Sequence, residues 1–202
     1  MNAGLLNAMQ KTFGLIGPLV LASALVSNVS HADGHEHGGQ WYAAVDVVSV
    51  SFLHPETNNS NWQVVDEHDK GFVLAAGYRF KPDWYVEASY ADLGQATLEH
   101  RNPAITGREH IEYKVPAILL QYRIDMNDDA DWALFLRAGI ARMRNSSSSE
   151  NMPYEAQTAT QYPVGMAMVV HPDKPWSMRL KVDGYDKDAI SVGISLMRNF
   201  GL

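Results

Sequence analysis

The chain has 202 residues, room for one domain of ordinary size, and sets 23 acidic against 16 basic side chains for a net charge of −7. Neutralising phosphates needs clustered Lys and Arg, so an acidic chain without a basic stripe is not expected to partner nucleic acid. A mean hydropathy of −0.21 excludes a bundle of membrane helices, though not a membrane β-barrel, whose strands are half polar; the absence of cysteine excludes disulfides and thiolate metal sites.

Residues 1–32 read as a secretory signal peptide. Lys11 supplies the positive flank, Phe13 to Val26 is an uncharged apolar run, and Ser30-His31-Ala32 places small residues where a signal peptidase reads them. The run is short of the roughly 20 residues a spanning helix needs, and Pro18 interrupts it. Cleavage after Ala32 would leave a flexible leader over 33–40, beginning Asp33-Gly34-His35. A free α-amine, two backbone amides and the imidazole of a third residue form a planar nitrogen set suited to Cu(II) or Ni(II). Asp33, His35 and His37 are therefore candidate metal residues, conditional on that cut site; otherwise the His/Gly tract is solvated leader and no cofactor is expected.

From Trp41 the pattern has period 2, the signature of strands. In 41–52, Trp41, Ala43, Val45 and Val47 share a face and Asp46 lies opposite; the alternation blurs after Val48, as it would at a bulge. A polar loop is expected over 54–69. In 70–80, Phe72, Leu74, Ala76, Tyr78 and Phe80 oppose Gly71, Val73, Ala75, Gly77 and Arg79; small residues on that second face leave room for long neighbours. A turn at Lys81-Pro82-Asp83 leads into 84–93, with Glu87 and Ser89 opposite Trp84, Val86, Ala88 and Tyr90. A second loop is expected over 94–111. In 114–124, Gln121 and Arg123 oppose Ile118, Leu120 and Tyr122, and Pro116 predicts a strand end or a bulge.

A turn over 125–131 precedes 132–143, where Arg137 and Gly139 oppose Trp132, Leu134, Leu136 and Ile140. A third loop, 144–156, carries N-S-S-S-S-E-N. Residues 157–170 set Tyr162, Val164, Met166 and Met168 against Gln157, Gln161, Gly165 and Ala167. After a turn at 171–175 comes a hairpin whose two arms alternate cleanly. Arg179, Lys181 and Asp183 oppose Met178, Leu180 and Val182, and Ser191, Gly193 and Ser195 oppose Ile190, Ile194 and Leu196.

Eight such strands, each polar or small on one face and apolar on the other, with long and short links alternating until the last, predict an all-β fold. The expected architecture is an eight-stranded antiparallel up-and-down transmembrane β-barrel over 41–202. Its apolar runs have the roughly nine to eleven residues that a tilted strand needs to span a bilayer. Trp41, Tyr42, Tyr78, Phe80, Trp84, Tyr85, Tyr122, Trp132, Trp176 and Phe200 all fall near the tight-turn rim, where an interfacial girdle is expected. The predicted lumen network is Asp46, Arg79, Glu87, Gln121, Arg123, Arg137, Gln161, Arg179, Lys181 and Asp183, with Glu87 and Asp183 each shared among basic groups. Eight strands leave just enough width for side chains to fill, so a salt-bridged plug is expected rather than a narrow ion path.

The segment Gly71 to Gly94, G-F-V-L-A-A-G-Y-R-F-K-P-D-W-Y-V-E-A-S-Y-A-D-L-G, resembles the second hairpin of the OmpA-like eight-stranded outer-membrane barrels. The start at Trp41-Tyr42 and the run I-S-V-G-I-S-L-M-R-N-F are also similar to that family, so the resemblance covers roughly 41–202. Family members usually finish on an aromatic residue read by the outer-membrane insertion machinery; here Gly201 and Leu202 follow Phe200. The resemblance implies a Gram-negative outer membrane reached through the periplasm, with membrane lipid, lipopolysaccharide and that machinery as partners.

Three function classes follow. A structural or surface-interaction barrel would use the loops at 54–69, 94–111 and 144–156 to meet an unidentified extracellular ligand. A lipid A-modifying enzyme would need a histidine with a paired partner near the outer rim. His54, His68, His100 and His110 fall in expected loops without an evident partner, and no histidine follows His171, so no catalytic residues and no enzyme are expected. A soluble calycin-like carrier would need apolar residues inside, against the charged inner faces read above.

Overall fold

The computed structural model describes residues 39–55, 61–102, 104, 107–127, 131–147, 156–187 and 189–201. The expected signal peptide, most of the leader, the three candidate metal residues and the tip of the third loop lie outside the described residues. Among the described residues no helix is long and apolar enough to cross a membrane. The chain crosses with strands.

Ten strand segments form one antiparallel sheet: β1 (Gln40–Leu53), β2 (Trp62–Asp66), β3 (His68–Lys81), β4 (Trp84–His100), β5 (Arg108–Asp125), β6 (Trp132–Ser147), β7 (Gln157–Gln161), β8 (Val164–Val170), β9 (Trp176–Asp186) and β10 (Ala189–Phe200). Segments β2 and β3 lie end to end along one edge of β4, and β7 and β8 lie end to end along one edge of β6. Counted as staves, the segments therefore make eight. Each pairs with its neighbour, β4 with β5, and β1 with β10 from Trp41↔Phe200 to Leu53↔Ala189, which closes the sheet into a barrel. Closure removes every long free edge, which an all-β protein in lipid requires because no water is there to satisfy backbone groups.

The outer surface carries the apolar face of each stave. Ile118, Leu136, Val164, Met166, Met178, Leu180, Ile194 and Leu196 are all exposed on the isolated barrel. That is an unfavourable display in water and the expected one in a bilayer. Trp41, Phe80, Trp84, Tyr122, Trp132 and Trp176 project outward at the tight-turn rim, whereas Tyr42 and Tyr85 turn inward and are buried. The girdle read from the sequence loses those two tyrosines because residues next to each other in a strand point to opposite faces.

The strands also run further than the alternation alone suggested. The expected loop over 54–69 contains β2 and the start of β3, that over 94–111 is occupied by extensions of β4 and β5, and β6 continues to Ser147. The signal was masked by two bulges. The register slips past Val48 in β1 and between Asp92 and Gly94 in β4. In β4 the buried positions change from odd (Tyr85, Glu87, Ala91, Leu93) to even (Ala96, Leu98) across Gly94, whose φ is +86. Without the extra residue Gln95, Thr97 and Glu99 would turn into the barrel and Leu98 out of it. Asp92 Oδ1 accepts from the Gly94 amide at 3.1 Å, and Asp69 Oδ2 from the Gln95 amide at 2.8 Å, which fixes the bulge in place.

Pro116 marks neither a strand end nor a bulge. It stays paired with Tyr90 of β4, and the ladder to β6 passes from Lys114↔Arg144 to Ala117↔Ala141 without a change of register. The missing N–H is absorbed as a gap on one edge. Pro163 does the same between β7 and β8, where its carbonyl accepts from the Gly139 amide at 3.0 Å.

Replacing Gly94 by valine forces a β-branched side chain into a positive-φ position and against the Asp69 carboxylate. The expected cost is about 1–3 kcal/mol. It should appear as faster proteolysis of the hairpin beyond residue 94, with the lower barrel still resistant; equal resistance of that hairpin would contradict the bulge's role.

Candidate functional site

The lumen is filled in three layers. At the middle lies a ring of alternating charge built from β1, β4, β6 and β9. Glu87 Oε1 accepts from Arg137 Nη2 at 2.6 Å, and Arg137 Nη1 donates to both Asp183 oxygens at 2.6 and 2.7 Å. Lys181 Nζ lies 3.4 Å from Asp183 Oδ2 and also pairs with Asp46. Arg179 Nη2 donates to Asp46 Oδ1 at 3.2 Å, and Arg179 Nη1 returns to Glu87 Oε2 at 2.6 Å. Each of the three carboxylates touches two of the three cations, so the ring closes on itself and is neutral.

These side chains sit inward because β9 sets Arg179, Lys181 and Asp183 at i, i+2 and i+4, all on one face of a strand. All six charged residues are at most 3% exposed. Neutral groups complete the layer. The Tyr42 hydroxyl donates to Glu87 Oε2 at 2.6 Å and accepts from Gln121 Nε2 at 2.8 Å, and Arg179 Nε donates to Ser195 Oγ at 3.1 Å. Gly77 lies under the Tyr42 ring and Gly165 against Asp183, so the small inner residues make room for these groups.

Toward the tight turns the ring is sealed by Tyr42, Ala44, Ala75, Tyr85, Phe135 and Met197 with their neighbours. The void in this region is about 10 Å³, no more than a single water would fill. Toward the long links it is sealed by a larger apolar cluster that includes Val48, Leu53, Val73, Leu93, Leu98, Ile111, Tyr113, Val115 and Met143.

Three of the residues expected in the lumen network lie elsewhere. Arg79 and Arg123 sit at the tight-turn rim, where both reach Asp173 of the 171–175 turn. Arg123 spans both of its oxygens at 2.8 and 2.6 Å, and Arg79 reaches Oδ1 at 3.2 Å. Arg123 also donates to Asp125 at 2.6 Å, and Arg79 to Gln40 at 3.0 Å. Gln161 is at the opposite mouth, donating to Asp186 at 3.0 Å beside a cavity of about 330 Å³. With the two rim arginines removed, the apparent excess of basic residues in the lumen disappears. Asp173 had no signal in the sequence beyond a turn residue. Asn199 locks the same turn: its side-chain amide donates to the carbonyls of Pro172 at 3.0 Å and Lys174 at 2.6 Å.

The histidines near the outer rim make short-range contacts. His54 Nδ1 lies 2.7 Å from Glu67, His110 Nδ1 lies 3.2 Å from the Thr97 hydroxyl, and His100 accepts from the Asn102 amide at 3.0 Å.

A family model for the outer membrane protein beta-barrel domain matches residues 19–200. The chain belongs to that family, and its place is the outer membrane of a Gram-negative bacterium. Among solved structures it is similar to the outer membrane protein OprG of Pseudomonas aeruginosa, with 14% identity, TM-score 0.59, and coverage of 84% of this chain and 99% of that one. It is similar to the N-terminal β-barrel domain of Pseudomonas aeruginosa OprF, with 12% identity, TM-score 0.52, and coverage of 80% and 97%. It also matches Ail, the attachment invasion locus protein of Yersinia pestis, crystallised with the heparin analogue sucrose octasulfate, with 16% identity, TM-score 0.51, and coverage of 82% and 100%. At these identities the likeness is one of fold. No curated protein shows significant similarity to the chain.

Replacing Glu87 by alanine leaves Arg137 and Arg179 facing each other without their shared carboxylate. The expected loss is about 3–5 kcal/mol, well above that of any exposed loop substitution. A gel-shift assay of heat-modifiable folding measures it, and an unchanged melting point would break the ring argument.

Acid acts at the rim. The Arg123 guanidinium holds the Asp173 carboxyl below its ordinary value of 3.8. The tether is therefore fully present above pH 3.8 and is lost only as pH falls below that value through the lowered one. Amide exchange at Lys174 should rise in that acidic window and should already be fast at neutral pH in Asp173→Asn.

Proposed function

We propose that this protein is a non-conducting, non-enzymatic barrel that acts through the surface at its long-link rim. The observation that carries the reading is the sealed lumen: a neutral charge ring with apolar layers on both sides. An ion entering from either mouth would have to cross a water-free layer, which is costly, and then break paired charges. With the interior closed, the outward-facing extensions of β2, β4, β5 and β6 are the chemically varied part of the molecule. They present Gln63, Gln95, Thr97, Glu99 and Arg108 on a wall whose inner side is packed by Leu98, Ile111 and Tyr113. A rigid wall of this kind loses little entropy on binding, which suits a recognition surface. Ail, with a heparin analogue bound, is a barrel of the same fold that carries a ligand. The extracellular ligand of this chain is left open by that likeness.

Protein reconstituted in a planar bilayer should give no unitary current steps, and lipid A mass spectra should be the same in cells with and without it. Reproducible steps would favour the ion-path reading, and a new lipid A mass would favour the enzyme.

A further inference from the structure

β9 stops at Asp186, and its ladder with β8 ends at Val164↔Gly184. β7 pairs with β6 and, among the described residues, has no second strand partner, so its inner face fronts a hollow at the long-link mouth. This is the cavity of about 330 Å³ beside Gln161. It has room for roughly eleven waters at about 30 Å³ each and falls within the range of small-molecule pockets, which barrels often place in their mouths. Parity builds its polar lining. Ala141 and Met143 face inward on β6, so Asn145 does too, and the ladder sets Gln157 opposite Asn145 and Gln161 opposite Ala141. Three carboxamides therefore converge on one hollow, together with the Asp186 carboxylate to which Gln161 donates at 3.0 Å. Asn145 Oδ1 is buried and, among the described residues, has no hydrogen-bond partner. Leaving such an oxygen unpaired is costly, so it marks where the donor of a bound molecule is wanted. Tyr113, Met143 and Ala159 add apolar surface between the amides. The charged lining residues among those described, Asp186 and Lys187, cancel.

We propose that this hollow binds a neutral saccharide of one or two rings, its hydroxyls on the three amides and its C–H faces against Tyr113 and Met143. The proposal rests on the reading of the long-link rim as the acting surface and names what that rim takes. Chemistry fixes the choice of ligand. A sugar hydroxyl both donates and accepts, and so does a carboxamide, whereas a guanidinium only donates and a carboxylate only accepts. A polyanion would meet one base and one acid here, so its charge would be buried without net compensation. A hydrocarbon would strand the amides, Asn145 Oδ1 above all. Asn145, Gln157 and Gln161 also stand on paired strands, which hold their backbones in place before the ligand arrives and lower the ordering cost of binding.

The test uses full-length protein in phosphatidylcholine nanodiscs free of lipopolysaccharide, titrated by saturation-transfer NMR with maltose, lactose, cellobiose and sucrose, and with the sulfated and fully O-methylated form of each. Wild type should bind at least one of the parent sugars with a Kd below about 10 mM. Its sulfated and O-methylated forms should bind at least tenfold more weakly, the second because it keeps the rings and loses every O–H donor. Asn145→Leu/Gln157→Leu, with folding checked by the heat-modifiable gel shift, should weaken binding roughly tenfold or more. Lys70→Gln, at an exposed position on β3, should leave it unchanged. The same sugars displayed on a carrier protein separate the sources: binding there as well makes a glycan chain end the ligand, and binding of the free sugar alone makes it a small solute. No parent sugar bound, or modified forms bound as tightly as their parent, would overturn the pocket whether or not the double variant folds. So would wild-type binding by the folded double variant or an equal loss in Lys70→Gln. A protein that binds no sugar yet gives neither current steps nor a new lipid A mass loses this pocket and keeps the rim as its acting surface.

Discussion

The constraint that organises this molecule is that a closed sheet of eight staves must fill its own interior. Lipid takes the outer face, so the usual hydrophobic core is unavailable over the depth of the bilayer. Six charges fill that space instead, and burying charges is costly unless each is fully paired. The ring of Glu87, Arg137, Asp183, Lys181, Asp46 and Arg179 meets the requirement by alternation: no member has only one opposite neighbour. The ring also ties β9 to β1, β4 and β6, staves that lie far apart in sequence, with Asp46 and Arg179 133 positions apart. The barrel's cross-section is thus held by charge geometry as well as by the backbone ladder.

Higher up, the same strands obey the opposite rule. Once they leave the apolar band they bury Leu93, Leu98, Ile111 and Tyr113 and show Gln95, Thr97, Glu99 and Glu112 to solvent, as a water-soluble β-protein would. A strand cannot change which face is apolar without either a change of composition or a change of register. β5 uses composition. β1 and β4 use register, through the slips after Val48 and at Gly94. The bulges therefore belong to the lipid–water boundary, where the surroundings of the wall change from hydrocarbon to water.

These two rules together account for the layered interior. The soluble-style core above and the aromatic layer below flank the ring on both sides, and low-dielectric surroundings strengthen each ion pair within it. The tight-turn mouth is closed separately, by the Asp173 turn held on Arg123, Arg79 and Asn199.

Period 2 and charge made much of this readable in the sequence. Alternation in 70–80, 84–93, 132–143 and 176–200 required strands, and the coincidence of an apolar face with a polar or small one on every strand pointed to a barrel in lipid. The identity of the inward charges was legible for the same reason, because parity fixes the face of each residue. Parity says nothing of height, so Arg79, Arg123 and Gln161 could not be told from the ring members, and the neutrality of the ring was hidden. Parity also fails at a bulge, which is why the upper extension of β4 looked like loop; β5 keeps its parity and changes composition instead. The sequence by itself determined the class of fold, the lipid-facing surface and the inward direction of the six ring charges, since these depend only on local periodicity. Which carboxylate meets which cation, and where Asp173 and Tyr42 insert, was decided by the stagger of strands brought together by barrel closure. That is a property of pairings between distant segments, and no local pattern carries it.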